Sequence, residues 1–172
     1  CWSCKGPVSS WALFCHTCGI IQPPQAIDHF ARLGVPVSFD IDPGQLERGY
    51  FGFQRIVHPD RFAAKSAREK ALSQAQAVAV NDAWEILRDP LSRADYLLAL
   101  RGAPLPGDDK TVNDPELLMT ALEDRETLEE AKSAAEVDKV LLGAERGYDG
   151  AVVGLSRAFG ADDLDKARKL TL

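Results

Sequence analysis

The chain of 172 residues has no long apolar run and no excess of positive charge. No stretch approaches the roughly 20 consecutive apolar residues that a membrane-spanning helix needs, so we expect no membrane partner. The formal net charge of −6 argues against a general nucleic-acid binder. Hydrophobic residues make up 45% and charged residues 27%, a balance typical of a soluble folded protein with one or two domains.

The chain also has no initiator methionine and no visible targeting segment. It begins at Cys1, inside a cysteine motif, which predicts a processed or trimmed chain. We therefore expect any address signal of the native protein to be absent from this chain.

Acidic side chains are not spread evenly. Residues 112–172 hold 14 acidic and 8 basic side chains, whereas residues 1–111 hold 12 of each. The two parts are therefore expected to meet different partners. A solvated acidic surface with no partner is an equal alternative.

Cysteine is absent after residue 18, and the four cysteines before that point form two C-x-x-C pairs: Cys1, Cys4, Cys15 and Cys18. Four thiolates delivered by two such pairs suit a tetrahedral zinc ion, and a shell closed by four protein ligands is structural rather than catalytic. Two disulfides, which would need an oxidising compartment, and redox-active C-x-x-C chemistry are the alternatives. His16 could in principle replace a thiolate, but we expect it to be an exposed bystander.

The segment that carries these cysteines is too short to bury a useful core alone. Zinc ligation would therefore supply its folding free energy directly. We expect Trp2, Trp11 and Phe14 to cover the site and Pro23-Pro24 to end the module.

The tripeptide His58-Pro59-Asp60 lies between two segments with helical periodicity. Because proline lacks an N–H and clashes with the preceding turn, the chain must break here and present an imidazole and a carboxylate at an exposed turn. The preceding helix is predicted to begin at Asp42-Pro43-Gly44-Gln45, which combines an N-cap, a first-turn proline and a capping box. Its core face recurs at helical spacing: Leu46, Tyr50, Phe53 and Val57. Arg48 and Arg55 share a face away from that stripe.

Three more helices are predicted around the turn. A short helix over Ala26 to Leu33 is closed by Gly34-Val35-Pro36. A long helix runs from about Ala67 to Leu87, with an apolar stripe made of Leu72, Ala75, Ala79, Ala83 and Leu87. A short helix after Asp89-Pro90 packs Tyr96, Leu97 and Leu100 and ends at Gly102.

The C-terminal part predicts three antiparallel helices. Asp114-Pro115 caps the first, Ser133 starts the second near Ala134, and Gly160 ends the second. The third follows Asp162-Asp163 and is still open at Leu172. Four glycines share one face of the second helix, for which close approach of another helix and sequence drift are the alternatives: Gly143, Gly147, Gly150 and Gly154.

The order of helices around the tripeptide, over residues 26–102, resembles a J-domain. Asn81-Asp82-Ala83-Trp84 is similar to the third J-domain helix, and residues 90–98 are similar to the fourth helix of HscB, the specialised J-protein of iron–sulfur cluster assembly. The resemblance implies a mostly α fold. Its expected parts are a tetracysteine zinc module at 1–24, a J-domain helical hairpin at 25–102, a linker at 103–113, and a C-terminal three-helix bundle at 114–172 with a truncated third helix.

The same resemblance implies that His58, Pro59 and Asp60 dock on a DnaK-type heat-shock chaperone and trigger its ATP hydrolysis. Arg48 and Arg55 would steer the chain toward an acidic partner surface. Gly49 and Gly52 depart from the family pattern, because relatives often carry a basic residue at the position of Gly49. Each glycine costs an exposed helix about 1 kcal/mol relative to alanine. The basic face is therefore thinner than in relatives, and Arg55 is expected to be a better contact than Arg48.

The segment from Leu117 to Glu123 resembles the first helix of the HscB C-terminal bundle. The resemblance implies that Leu118, Met119 and Leu122 bind an IscU-type scaffold protein, and that Leu172 matches an aromatic residue that joins this surface in relatives. The alternative is that the three side chains on the first helix belong to the core of the bundle. A helix with five apolar residues in its first dozen has more than one narrow stripe requires, so some should be exposed.

The implied function is that of a co-chaperone rather than an enzyme. It would recruit the IscU-type scaffold to the DnaK-type chaperone, stimulate its ATPase and promote iron–sulfur cluster transfer. The zinc module resembles that of animal and related eukaryotic HscB proteins, which implies the mitochondrial matrix, with the cytoplasm as a second compartment. A general J-domain co-chaperone with a zinc-bound substrate module, and a zinc enzyme that uses His58 and Asp60 as an acid–base pair, are the alternatives.

Overall fold

A computed structural model describes residues 1–106 and 115–172, except for the side chains of residues 116 and 117. The described chain is mostly helical, as predicted, and its helices in order are α1 (His29–Leu33), α2 (Pro43–Val57), α3 (Ala67–Arg88), α4 (Pro90–Leu100), α5 (Pro115–Glu130), α6 (Ala134–Gly160) and α7 (Leu164–Thr171). A single 3₁₀ turn, Pro59–Phe62, separates α2 from α3. The predicted linker residues 107–113 and the predicted Asp114 cap lie outside the described residues.

The chain forms two compact units, Cys1–Arg93 and Ala94–Leu172. The first holds the cysteines and the helices from α1 to α3, and the second holds α5, α6 and α7. The four segments predicted from the sequence remain predictions, because compactness does not define a functional module. In the part of the chain that the structure describes, no helix is long and apolar enough to cross a bilayer.

Side-chain caps set where the helices of the first unit begin. Asp28 accepts a hydrogen bond from the Ala31 N–H at 2.7 Å, so α1 begins at His29 rather than at the predicted Ala26. Gly34 then ends α1 in the left-handed region, at a φ of 68°, where glycine is favoured because it has no Cβ. Asp42 caps α2 through the N–H groups of Gly44 and Gln45, as predicted.

The helices α2 and α3 pack as an antiparallel hairpin. Leu46 and Val57 on the predicted core face of α2 are buried, and Phe53 on the same face is half-buried. The ring of Tyr50 stacks on the ring of Trp84 in α3, with ring centroids 4.6 Å apart. These contacts hold the turn between the two helices at one end of the hairpin.

The predicted apolar stripe of α3 is wrong in its first half. Ala75 is exposed, whereas Ser73 and Gln76 are buried. Both buried polar side chains donate to backbone carbonyl groups, which offsets part of the free-energy cost of burying them. The Oε1 atom of Gln76 is buried without a hydrogen-bond partner among the described residues. A pattern built from apolar residues alone misses a buried face that carries polar side chains.

The packing of α4 also differs from the prediction at one position. Leu97 is fully buried as predicted, but Leu100 is exposed, and its place in the core is taken by Leu98 and Ala94. Gly102 ends the segment with a φ of 78°, as predicted.

In the second unit, α6 runs without a break through all four glycines. A Cβ added at Gly154 would lie 2.9 Å from Leu170 Cδ1 of α7, so a close approach is present at that glycine. Among the described residues, no atom outside the neighbouring backbone of α6 lies within 4 Å of a Cβ built at Gly143, Gly147 or Gly150. The close-approach explanation therefore applies to one of the four positions.

Candidate functional site

The His58-Pro59-Asp60 turn has a defined geometry. His58 ends α2 with extended backbone, at a φ of −54° and a ψ of 130°, and the chain then enters the 3₁₀ turn. The imidazole Nδ1 of His58 accepts a hydrogen bond from the Asp60 N–H at 3.3 Å and lies 3.5 Å from the Asp60 carboxylate. Both side chains are solvent-exposed. The turn therefore presents an imidazole and a carboxylate together on the surface, as the tripeptide predicts.

The base of this turn is anchored from α3. The buried hydroxyl of Ser73 donates to the Val57 carbonyl at 2.6 Å, and Phe62 is buried just beyond the turn. These contacts tie both sides of the tripeptide to the core of the hairpin.

A groove of about 1030 Å³ runs beside the turn along the exposed face of α2. Its lining combines basic, apolar and polar side chains: Glu47, Arg48, Phe51, Gly52, Gln54, Arg55, His58 and Arg61. The side chains of Phe51 and Arg61 were not predicted as part of the site. Phe51 is 58% exposed although it lies next to the core position Tyr50, and an exposed aromatic residue between two arginines is the sequence signal that could have identified it.

The two predicted arginines of this face differ in their contacts. Arg48 bends back to Asp42, with 3.4 Å between Nη2 and Oδ2, and both partners are well exposed. Such a surface pair contributes little to stability, but it directs the guanidinium away from the turn. For the side chain of Arg55, the structure describes no ion pair among residues 1–106 and 115–172, and Arg55 is exposed one turn before His58.

The cysteines lie on two knuckles with the same backbone geometry. The Lys5 N–H donates to the Cys1 carbonyl at 3.1 Å, and the Gly19 N–H donates to the Cys15 carbonyl at 2.8 Å. Lys5 and Gly19, each directly after the second cysteine of a pair, both have positive φ values, of 62° and 69°. This reversal of the chain points the two thiols of each knuckle in one direction.

All four sulfur atoms lie within 4.8 Å of one another, as expected for a common metal ion. The Sγ atoms of Cys1 and Cys18 are 3.8 Å apart, and those of Cys4 and Cys15 are 3.6 Å apart. A tetrahedral ion with bonds of about 2.3 Å to sulfur requires sulfur–sulfur distances of about 3.8 Å. All four cysteines are free, so the structure contradicts the two-disulfide alternative. His16 is exposed and lies outside the cluster, as predicted.

The thiols of the second knuckle differ in acidity. Backbone N–H groups of Cys18 and Thr17 donate to the Cys15 sulfur and lower the pKa of that thiol from 9.0 to about 6, although burial opposes the shift. The Ile20 N–H favours the Cys18 thiolate, yet the pKa of Cys18 is raised because burial and the adjacent Cys4 and Cys15 sulfurs outweigh it. Neighbouring thiolates repel one another, so a bound cation is what allows all four to ionise together.

The predicted cover of the cluster is correct only in part. Trp2 is half-buried and donates its Nε1–H to the Ile21 carbonyl at 2.7 Å, whereas Trp11 is 72% exposed. The unpredicted residue is Gln22, which is buried and donates its amide to the Cys1 sulfur at 3.5 Å. The expectation that Trp11 covers the site is therefore wrong, because that side chain points into solvent on the loop between the knuckles.

The predicted scaffold-binding residues lie on an exposed apolar surface. Leu118, Met119 and Leu122 on α5 are 46%, 62% and 57% exposed, so they do not form the core of the described unit. Leu172, the last residue, is also half-exposed.

Comparison with known proteins matches the C-terminal part of the chain to one family and nearly the whole chain to an individual relative. Residues 113–172 match a family described as the HSCB C-terminal oligomerisation domain. The human iron–sulfur cluster co-chaperone protein HscB is 34% identical over 180 residues, which covers 99% of this chain and 74% of that protein. A co-chaperone protein HscB homolog of Azoarcus sp. (strain BH72) is 46% identical over 113 residues, and the match spans 64% of its length.

Two solved structures show the same likeness. The crystal structure of human co-chaperone protein HscB superposes with a TM-score of 0.92 at 33% identity and covers 99% of this chain and 89% of that one. The chaperone HscB from Vibrio cholerae gives a TM-score of 0.74 at 31% identity, with 83% of this chain and 89% of that one covered. The helix order, the exposed turn and the match to human HscB over 99% of this chain agree, and the chain therefore belongs to the HscB family of co-chaperone proteins.

Proposed function

We propose that this chain brings an IscU-type iron–sulfur scaffold to a DnaK-type heat-shock chaperone and stimulates the ATPase of that chaperone. The observation that carries the proposal is the exposed His58-Pro59-Asp60 turn at the tip of a helical hairpin. The chain itself would perform no bond chemistry. Its effect would come from binding the hydrolysis-competent conformation of the chaperone more tightly than the resting one, which shifts the population.

The α2 face beside the turn is suited to this role. Arg55, Arg61 and His58 line one groove, and positive charge at the rim of an interface raises the rate of encounter with an acidic surface. Phe51 adds an exposed aromatic ring to the same groove, and aromatic side chains often anchor interfaces. Arg48 would contribute less, because it is paired with Asp42 in the free chain.

The scaffold would bind at the exposed apolar side chains of α5 that the sequence predicts. Leu118, Met119 and Leu122 keep about half of their surface in water, and burying this surface against a partner would be favourable by about 25 cal/mol per Å² of apolar area. Leu172 would join this surface. The human relative is named an iron–sulfur cluster co-chaperone, which supports an iron–sulfur scaffold as the cargo.

The cysteine cluster would hold a structural zinc ion through Cys1, Cys4, Cys15 and Cys18. Four thiolates at tetrahedral spacing complete the coordination shell, so the ion would supply folding free energy and no reactive position. We place the protein in the mitochondrial matrix, with the cytoplasm as a second compartment, because the cysteine module resembles that of eukaryotic HscB proteins.

The mechanism is tested by the steady-state ATPase of a DnaK-type chaperone with the scaffold present. The native chain should stimulate turnover, and His58→Gln should abolish the stimulation because the turn loses its imidazole. His16→Gln is the matched control, since it makes the same change at an exposed histidine outside the cluster. Equal stimulation by His58→Gln and the native chain would disprove this mechanism.

The cargo is tested by a pull-down of the scaffold. Changing Leu118, Met119 and Leu122 to alanine should weaken binding by at least about thirtyfold, because truncating interface anchors costs about 2 kcal/mol or more. Scaffold-free ATPase stimulation should remain. The control removes a similar apolar area elsewhere in the same unit through Val137, Leu141 and Leu142 on α6, which are also exposed. Retained scaffold binding by the α5 variant would show that the scaffold binds elsewhere, whereas no binding by the native chain would favour a general J-domain co-chaperone without scaffold specificity.

A further inference from the structure

The exit from α2 leaves the buried Val57 carbonyl in need of a donor. If α2 continued, the Arg61 N–H would donate to the Val57 carbonyl four residues earlier. The break at Pro59 prevents this, and the Arg61 N–H donates to the His58 carbonyl instead, at 3.0 Å. Val57 is fully buried, so its carbonyl would be costly to leave unpaired.

The donor comes from the other helix of the hairpin. Ser73 is fully buried in α3, 16 residues along the chain, and its hydroxyl lies 2.6 Å from the Val57 oxygen. This hydrogen bond joins the second turn of α3 to the last residue of α2. The direction in which the chain leaves α2, and with it the placement of His58, is thereby fixed by a side chain outside the tripeptide.

We propose that Ser73 is a positioning residue that holds the His58-Pro59-Asp60 turn in the conformation that docks on the chaperone. The inferred effect on chaperone docking rests on the proposed function, whereas the hydrogen bond between Ser73 and the Val57 carbonyl does not depend on it. If the docking conformation is populated only in part, the apparent dissociation constant rises by the inverse of that fraction, while the bound complex is unchanged. Loss of the Ser73 hydroxyl should therefore weaken the apparent affinity for the chaperone without changing the maximal stimulated ATPase rate.

The experiment compares Ser73→Ala with the native full-length chain, in titrations of the ATPase of a purified DnaK-type chaperone. We expect the concentration for half-maximal stimulation to rise by about fivefold, the size expected for one lost buried hydrogen bond, with the maximal rate retained. Amide ¹⁵N relaxation of the same variant should show increased motion at His58, Asp60 and Arg61.

The control is Asp28→Ala, which removes one cap hydrogen bond at the start of α1 and should lower stability without affecting the turn. Unchanged half-maximal concentration in Ser73→Ala, or an equal rise in Asp28→Ala, would overturn the inference. If the native chain does not stimulate the ATPase at all, the proposed function fails. The relaxation measurement then still decides whether Ser73 positions the turn, because unchanged motion in Ser73→Ala would overturn that role.

Discussion

Two glycines of α2, three residues apart, have different surroundings: one lies against the end of α1 and the other faces open space. At Gly49 an added Cβ would overlap the Leu33 carbonyl oxygen, because the end of α1 crosses α2 at this point. At Gly52 no atom of the described residues, apart from the neighbouring backbone of α2, lies within 4 Å of an added Cβ. The sequence predicts the same helix-weakening effect for both residues, since propensity depends on residue type and not on what crosses the helix.

We expect Gly52→Ala to stabilise the protein by about 0.5–1 kcal/mol, because alanine restricts the unfolded chain and fits open space. Gly49→Ala should destabilise it by about 1–3 kcal/mol, because the methyl group forces α1 away from α2. Urea denaturation followed by tryptophan fluorescence measures both changes. The pair provides its own control, since the two substitutions are chemically identical, and equal shifts of the same sign would contradict this explanation.

At the scale of the helix, bounds are predicted well and buried faces less well. The helix α3 is predicted over Ala67–Leu87 and observed over Ala67–Arg88, because its ends depend on local caps. Its buried face depends on which segments pack against it, since Ser73 meets the Val57 carbonyl of α2 and Gln76 meets the Gln22 carbonyl, while Ala75 is exposed. No local rule predicts that packing.

Some residues of the candidate site can be predicted from the sequence and others cannot. The tripeptide and the two C-x-x-C pairs are contiguous motifs, so their residue types and spacing identify them. Ser73 and Gln22 belong to the site only through packing between separate segments. Periodicity cannot reveal such residues, since a hydroxyl or an amide on a core face looks like an interruption of the pattern.

A capping box at the N-terminus of α3 is expected to control the pKa of one carboxylate. Ser66 and Glu69 form a reciprocal capping box, in which the Glu69 carboxylate accepts from the Ser66 hydroxyl at 2.7 Å and from its N–H at 3.0 Å. These bonds hold the pKa of Glu69 below its ordinary value of 4.5. Ser66→Ala should raise that pKa toward 4.5, as measured by NMR titration of the carboxyl carbon.

The sign of the stability effect follows from the lowered pKa. Glu69 binds its proton less readily in the folded state, so its stabilising contribution is complete above the unfolded pKa and is lost as pH falls through the folded value. The difference in stability between the native chain and Ser66→Ala should therefore shrink on acidification below pH 4.5. Ser92→Ala, the same change in α4, should leave the Glu69 titration unaltered. An unshifted Glu69 pKa in Ser66→Ala would show that the carboxylate does not rely on the cap.

At the scale of the first unit, the cysteine module and the helical hairpin are linked by specific contacts. Gln76 of α3 donates to the Gln22 carbonyl at 3.0 Å, and the Gln22 amide reaches the Cys1 sulfur. Arg68 of α3 lies over the Trp2 ring, 4.2 Å from its centroid. The cluster is therefore connected to α3 through two side chains about two turns apart, and not only through the chain between them.

This connection predicts that removal of the metal ion destabilises part of α3 as well as the cysteine module. Hydrogen–deuterium exchange of the metal-loaded chain, before and after chelation, should show faster exchange in residues 1–22 and also in α3 around Gln76. Exchange in α6 and α7 of the other unit should be unchanged. The physical reason is that four thiols without a cation repel one another when ionised, which releases Gln22 from Cys1 and weakens its contact with Gln76.

The variant Gln76→Leu separates this coupling from general unfolding. It keeps a similar volume in α3 but removes the donor to the Gln22 carbonyl. Chelation should then accelerate exchange in residues 1–22 as before and leave the Gln76 region of α3 nearly unaffected. If α3 responds equally in both chains, the coupling runs through another contact, and Arg68 over Trp2 is the next to change. If α3 responds in neither, the module is an appendage whose metal does not stabilise the hairpin.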